Sequence, residues 1–68
     1  KPVQHWSIEY KIHGETKVLT IQSDDEPSID DVHQALIIQN HLDRTGMESL
    51  QGVVSNGGIT NISCEQAP

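Results

Sequence analysis

The sequence predicts a small α+β domain in which an antiparallel sheet carries one main helix on one of its faces, in the order β-β-α-β-β. Three observations support this prediction: apolar side chains alternate near the start of the chain, apolar residues in the middle follow a helical spacing, and a second alternation follows a glycine-rich turn. The 68 residues leave room for one domain, residues 1–68, and for a core of limited size.

The first strand is predicted over Gln4–Ile12, where every second side chain is large and apolar. These inward-facing side chains are Trp6, Ile8, Tyr10 and Ile12. Residues 13–16 contain a glycine suited to a tight turn, and a second strand over residues 17–22 completes a hairpin with Leu19 and Ile21 on the buried face. Because the chain has no Phe, the core is expected to be aliphatic and anchored by Trp6 and Tyr10.

The helix is predicted over residues 29–42. Ser28 is the expected N-cap, Asp31 stands three residues later in a shortened capping box, and Gly46 is the expected C-terminal stop. The spacing of three or four residues assigns one face to the hairpin. That face comprises Ile29, Val32, Ala35, Leu36, Ile38, Gln39 and Leu42. Ile37 lies off this stripe and is expected to be exposed.

The segment that follows gives conflicting signals. Residues 47–50 favour a helix, whereas residues 52–54 favour a strand. The order β-β-α-α-β, with a short helix in place of the third strand, therefore stays open as the alternative. After the turn at residues 56–58, a closing strand is predicted over residues 59–65, with Thr60, Ile62 and Cys64 on one side.

Residues 8–17 read Ile-Glu-Tyr-Lys-Ile-His-Gly-Glu-Thr-Lys. This string resembles the first hairpin of a family of short, uncharacterised pseudomonad proteins, whose members often begin with a similar acidic-Tyr-basic-aliphatic-His-Gly-Glu sequence. The helix and the final Gly-Ile-Thr-Asn-Ile stretch are similar in position only, and the aromatic-rich helix typical of that family is absent. The resemblance implies a small bacterial α+β protein. Because the family has no established activity, the resemblance implies no catalytic residue.

The charge balance restricts the partners that we expect. Ten acidic residues against four basic ones give a formal net charge of −6, which repels both nucleic acids and anionic membranes. The longest apolar run, residues 35–38, is far shorter than the roughly 20 residues that span a bilayer. The first residues lack the apolar stretch of a secretory signal, and the alternative that an upstream leader has been removed stays open. The single cysteine indicates a reducing, cytoplasmic location.

No catalytic, cofactor-binding or metal-binding residue is predicted. The spacing of the four histidines separates them, so His5, His13, His33 and His41 are interpreted as solvated surface residues. The acidic residues do not follow the pattern of an EF-hand calcium loop. Cys64 is interpreted as a small apolar residue of the last strand. No pair of side chains is suited to acid–base or nucleophilic catalysis, so the protein is expected not to be an enzyme.

The predicted function is protein–protein interaction, with the chain acting as a modulator of another protein or as one half of a homodimer. Its acidic charge, its small size and the unpaired backbone groups at a sheet edge all favour this role. The predicted interaction surface comprises Asp24, Asp25, Glu26, Asp30, Asp31 and Ile37. The alternative is a module that binds a small molecule or a metal through the histidines or the acidic cluster.

Overall fold

The computed structural model describes residues 2–43, 46 and 49–67. Five elements follow one another in this part of the chain: β1 (Gln4–Ile12), β2 (Glu15–Ser23), α1 (Ile29–Gln39), α2 (Leu50–Asn56) and β3 (Ile59–Gln66). The α+β class predicted from the sequence is confirmed. The order β-β-α-β-β is wrong, and the alternative order β-β-α-α-β is the one observed.

The second helix includes residues 52–54, for which the sequence favoured a strand. Ser49 caps α2 by accepting a hydrogen bond from the Gly52 N–H at 3.0 Å. Val53 and Val54 are both buried, at 3% and 2% exposure. Successive side chains of a strand point to opposite faces, whereas successive side chains of a helix lie about 100° apart and can share one buried side. Burial of both valines therefore favours the helix over the local strand propensity. Met47 and Glu48 lie outside the described residues.

The three strands form one antiparallel sheet with the order β2-β1-β3. β1 has the predicted bounds, and β2 begins two residues earlier and ends one residue later than predicted. His13 and Gly14 form the connecting turn with φ values of 52° and 81°. Positive φ at both central residues is the geometry that matches the twist of a two-residue hairpin.

A bulge in β3 changes which of its side chains face inward. Glu9 pairs with Ser63 and Lys11 pairs with Thr60, so two residues of β3 stand opposite Tyr10. Asn61, inside the bulge, has a φ of 54°. The extra residue reverses the alternation. The prediction that Thr60 shares a side with Ile62 and Cys64 is therefore wrong: Thr60 is exposed, and Ile59 is the buried residue at that end of β3.

The core lies between the inner face of the sheet and the two helices. The predicted inward face of β1 is confirmed, because all four of its apolar side chains are buried. The buried apolar residues are Trp6, Ile8, Tyr10, Ile12, Val32, Leu36, Val53, Val54 and Ile59. Leu19 and Ile21 are half-buried against this cluster, as expected. Asn40 connects the end of α1 to the sheet by donating from its side-chain amide to the Tyr10 hydroxyl at 3.4 Å.

The start of α1 is as predicted, and its end and its buried face are not. Ser28 and Asp31 form the capping box. Three side chains assigned to the inner face are exposed: Ile29 at 72%, Ile38 at 67%, and Gln39. Ile37, expected to be exposed, is half-buried and packs against the core. The predicted stripe was too wide for a helix that contacts the sheet through a few residues around Leu36.

The helix ends at Gln39, three residues earlier than predicted, and Gly46 is not its stop. His41 has a φ of 53°, its N–H donates to the Ile38 carbonyl at 3.3 Å, and the Leu42 N–H donates to the Ile37 carbonyl at 3.0 Å. These two bonds are those of a Schellman motif, with His41 in the left-handed position that glycine usually occupies. The half-buried Ile37 and Leu42 supply the apolar residues that accompany this motif.

Replacing His41 with glycine is therefore expected to stabilise the fold by about 0.5–1 kcal/mol, because relief of left-handed strain exceeds the extra entropy that glycine loses on folding. His41→Ala is the control, since alanine removes the imidazole but keeps the Cβ that causes the strain. Urea denaturation of both variants measures the effect. A gain in stability with alanine as large as that with glycine would show that the imidazole, and not the backbone angle, determines it.

Candidate functional site

The alternation of backbone hydrogen bonds decides which groups of β3 have no partner in the sheet. The Ala67 N–H donates to the His5 carbonyl at 2.8 Å, in continuation of the β1–β3 register. Because alternate residue pairs of an antiparallel ladder are hydrogen-bonded, Ser63 and Glu65 also direct their backbone groups toward β1. Cys64 and Gln66 direct their backbone N–H and C=O groups away from the sheet, and the C=O group of Ile62 is also directed outward because it is trans to the inward N–H of Ser63. We call these outward groups, at Ile62, Cys64 and Gln66, the open edge of β3.

A groove with a volume of about 330 Å³ runs beside this edge. One wall is formed by the end of the loop after β2 and the first half of α1, and the other wall is formed by β3. We call it the β3 groove. Its lining residues are Glu26, Pro27, Ile29, Val32, His33, Ile62, Ser63 and Cys64.

The β3 groove borders the edge strand of the sheet. Ile62 and Cys64 belong to the inner face of β3, whereas Ser63, which pairs with Glu9, belongs to the outer face. Among the described strands β3 pairs with β1 alone, so the groove that it lines borders an edge of the sheet. Ile62 and Cys64 therefore contribute both to the open edge and to the groove, and an incoming chain can contact both features.

One ionisable group in the groove is perturbed. Burial raises the pKa of the Cys64 thiol, and the negative charge of Glu26 raises it further. Both effects disfavour the thiolate, which is the reactive form of cysteine. The arrangement therefore gives Cys64 the character of a weakly polar wall residue of the groove.

The predicted interaction surface is only partly brought together. Its five acidic residues are all exposed, in the loop after β2 and in the first turn of α1. Glu26 lines the β3 groove, and Asp31 belongs to the capping box. Ile37 is separate from them, because its side chain packs against the core. Sequence reasoning missed the other groove residues. The proline before the N-cap was the one local signal that the loop would turn there.

The histidines do not behave uniformly. His5, His13 and His41 are exposed, as expected for solvated residues. His33 is 7% exposed and lines the groove, so its interpretation as a solvated residue is wrong. His33 follows Val32 in the sequence and also lies on the buried side of α1, although the predicted stripe did not include it. Within residues 2–43, 46 and 49–67, no group of three or more potential metal ligands occurs.

Comparison of the chain with models of known protein families, with curated proteins and with solved structures finds no match. In the described part of the chain, no helix has both the length and the apolar character that crossing a membrane requires. The open edge and the β3 groove are therefore the features of the molecule that indicate a function.

Proposed function

We propose that this chain is a non-enzymatic protein-binding module that accepts an extended segment of another protein as an additional strand beside β3. The observation that supports the proposal most directly is the position of the β3 groove along the open edge. Unpaired backbone groups supply affinity in this mode of binding, and pockets for alternate side chains supply specificity.

The geometry indicates which side chains of the added strand would enter the groove. In an antiparallel pairing, the outward C=O group of Ile62 and the outward N–H and C=O groups of Cys64 would bond to the residues directly opposite them. Side chains of directly opposed residues lie on the same face of a sheet. Residues of the partner opposite Ile62 and Cys64 would therefore point to the inner side, toward the wall formed by α1, and the residue between them would point to solvent.

The sheet has a second edge, β2, and two features favour β3 over it. Lys17 of β2 is exposed, and a lysine on an edge strand is a common protection against strand addition. Residues 59–66 contain no Lys or Arg. A bulge is another protection, and the one in β3 lies near its start at Asn61, so the stretch from Ile62 onward stays regular.

Chemical synthesis of this short chain allows a single-atom test of the edge. N-methylation of Cys64 would place a methyl group on an outward amide and block strand addition without breaking a bond to β1. N-methylation of Thr20, whose amide points away from β1 on the β2 edge, is the matched control. We expect linear peptides selected from a random displayed library to bind the unmodified protein and the Thr20-methylated protein, and to lose binding when Cys64 is methylated.

Two results would contradict the proposal. Equal binding to all three proteins would place the peptide elsewhere on the surface. A library that yields no peptide able to bind the unmodified protein would leave strand addition without support. Circular dichroism of each synthetic protein confirms beforehand that methylation has left the fold intact.

A second candidate function, binding of a small molecule, is favoured by the volume of the β3 groove. A volume of about 330 Å³ is at the lower end of the range of ligand pockets, roughly 300–1,000 Å³. A metabolite that occupies the groove at 100 times its Kd would raise the free energy of unfolding by about 2.7 kcal/mol. Thermal denaturation with a panel of common metabolites would detect this shift, and its absence throughout would remove the candidate.

A cytoplasmic setting is part of the proposal. The chain contains one cysteine, so no disulfide can form within it. A single thiol that is half-buried beside a carboxylate suits a reducing compartment, where it needs no partner. The supporting fact is this cysteine usage, and fractionation of cells that express the full gene product would test it.

A further inference from the structure

We propose that the segment added beside β3 presents a lysine or arginine side chain to the β3 groove, at the position opposite Cys64. This inference depends on the proposed function, and it specifies the chemistry of the partner. The groove combines an apolar interior with a carboxylate at its rim, and a long cationic side chain is complementary to both parts.

The apolar part of the groove suits the methylene stem of such a side chain. Ile29 and Val32 of α1 stand across from Ile62 of β3. Ile29 is 72% exposed, so its side chain is accessible to an incoming segment. Lysine and arginine bury their stems along apolar surface while keeping the charged group in water. Contact with such a stem would cover the exposed Ile29.

The charged part of the groove is Glu26. Its side chain is exposed, and its charge reaches the Cys64 thiol strongly enough to raise the pKa of that group. A residue opposite Cys64 would therefore lie within the field of Glu26. Asp24 and Asp30, close to Glu26 in the chain, are also exposed and add to the negative potential. Within the part of the chain that the structure describes, none of the residues that line the groove is a Lys or Arg.

A second copy of the chain is a poorer occupant than a basic segment. Pairing β3 with β3 would bring Glu65 and no cation from the second copy, because residues 59–66 contain no Lys or Arg. Each copy also carries a formal net charge of −6, so association of two copies meets long-range repulsion. Charge complementarity thus selects a basic partner segment over self-pairing.

Three synthetic peptides test the inference: acetyl-Ser-Thr-Val-Thr-Xaa-Thr-Val-Thr-Ser-amide with lysine, norleucine or glutamate at Xaa. Norleucine keeps an apolar stem without the charge, and glutamate reverses the charge. Titration at millimolar peptide, followed by NMR through the backbone amides of Ile62, Cys64 and Gln66, gives each affinity. We expect the lysine peptide to bind about threefold to fivefold more tightly than the norleucine peptide, as for an exposed ion pair, and the glutamate peptide to bind most weakly.

The variant Glu26→Gln should remove the difference between the lysine and norleucine peptides. Glu65→Gln is the matched control: it removes one carboxylate from β3 on the side away from the groove, and it should leave the difference unchanged. Added salt should reduce the advantage of lysine, because an exposed pair is screened.

The outcomes separate the two proposals. If all three peptides shift the open-edge amides with equal affinity, strand addition stands and the basic preference is wrong. If no peptide shifts these amides, strand addition itself loses its support. If the protein alone shifts the same amides as its concentration rises, and light scattering shows doubled mass, a second copy occupies the edge and the basic-segment proposal is overturned.

Discussion

Replacing Leu36 with alanine is expected to cost about 2–5 kcal/mol of unfolding free energy. Leu36 is completely buried and belongs to the cluster that joins α1 to the sheet. The loss combines the transfer energy of the removed atoms with the cavity left behind. A chain of 68 residues has a total stability of about 3–10 kcal/mol at typical values per residue, so this substitution should remove a large part of that stability.

The matched control for this prediction is Ile38→Ala on the same helix. Ile38 is 67% exposed, so its truncation should change stability by no more than about 0.5 kcal/mol. Urea denaturation followed by circular dichroism and by the fluorescence of Trp6 measures both variants. Equal losses for the two substitutions would show that α1 packs against the sheet with a different face. The comparison thus tests the rotation of the helix as well as the depth of the core.

Replacing Ser63 with proline is expected to cost about 1–3 kcal/mol, because its N–H is directed toward β1 and proline removes that donor from the ladder. Thr20→Pro is the matched control. Both residues are exposed on the outer face of the sheet, but the Thr20 amide points away from β1, at the edge of β2. Proline is tolerated in an edge strand when its nitrogen faces solvent, so the control should retain the fold.

Thermal unfolding monitored by circular dichroism compares these two proline variants. A stable Ser63→Pro protein together with an unfolded Thr20→Pro protein would reverse the assignment of inward and outward amides. The open edge of β3 would then consist of different residues, and the position opposite Cys64 would no longer face the groove. The prediction therefore tests the geometric basis of strand addition before any partner is known.

Local rules accounted for the elements whose signals lie within a few residues. The alternation in β1 predicted all four of its buried side chains, and Ser28 with Asp31 predicted the start of α1. The glycine after His13 predicted the turn between the first two strands. Each of these features depends on steric preference or hydrogen bonding between near neighbours, which is why the sequence is sufficient to recognise them.

Local rules failed where two alternative structures of the same segment have similar local energies. Val53 and Val54 favour a strand by propensity, and they form part of a helix because that geometry buries both side chains at once. In α1, the spacing allowed a wider apolar stripe than the sheet can contact, so Ile37 and Ile38 were assigned to the wrong environments. Propensities of a few tenths of a kcal/mol are smaller than the energy of burying one aliphatic side chain.

Some features of the candidate site follow from the sequence, and others follow only from the tertiary structure. The sequence by itself determined the acidic loop and the acidic first turn of α1, because charge and capping are visible residue by residue. Only the tertiary structure decided that Glu26 lines a groove with Cys64, and that a bulge at Asn61 places Ile62 on the inner side of an open strand. These relations join segments about thirty residues apart or more, and they depend on sheet register and helix packing, which no local pattern of residues encodes.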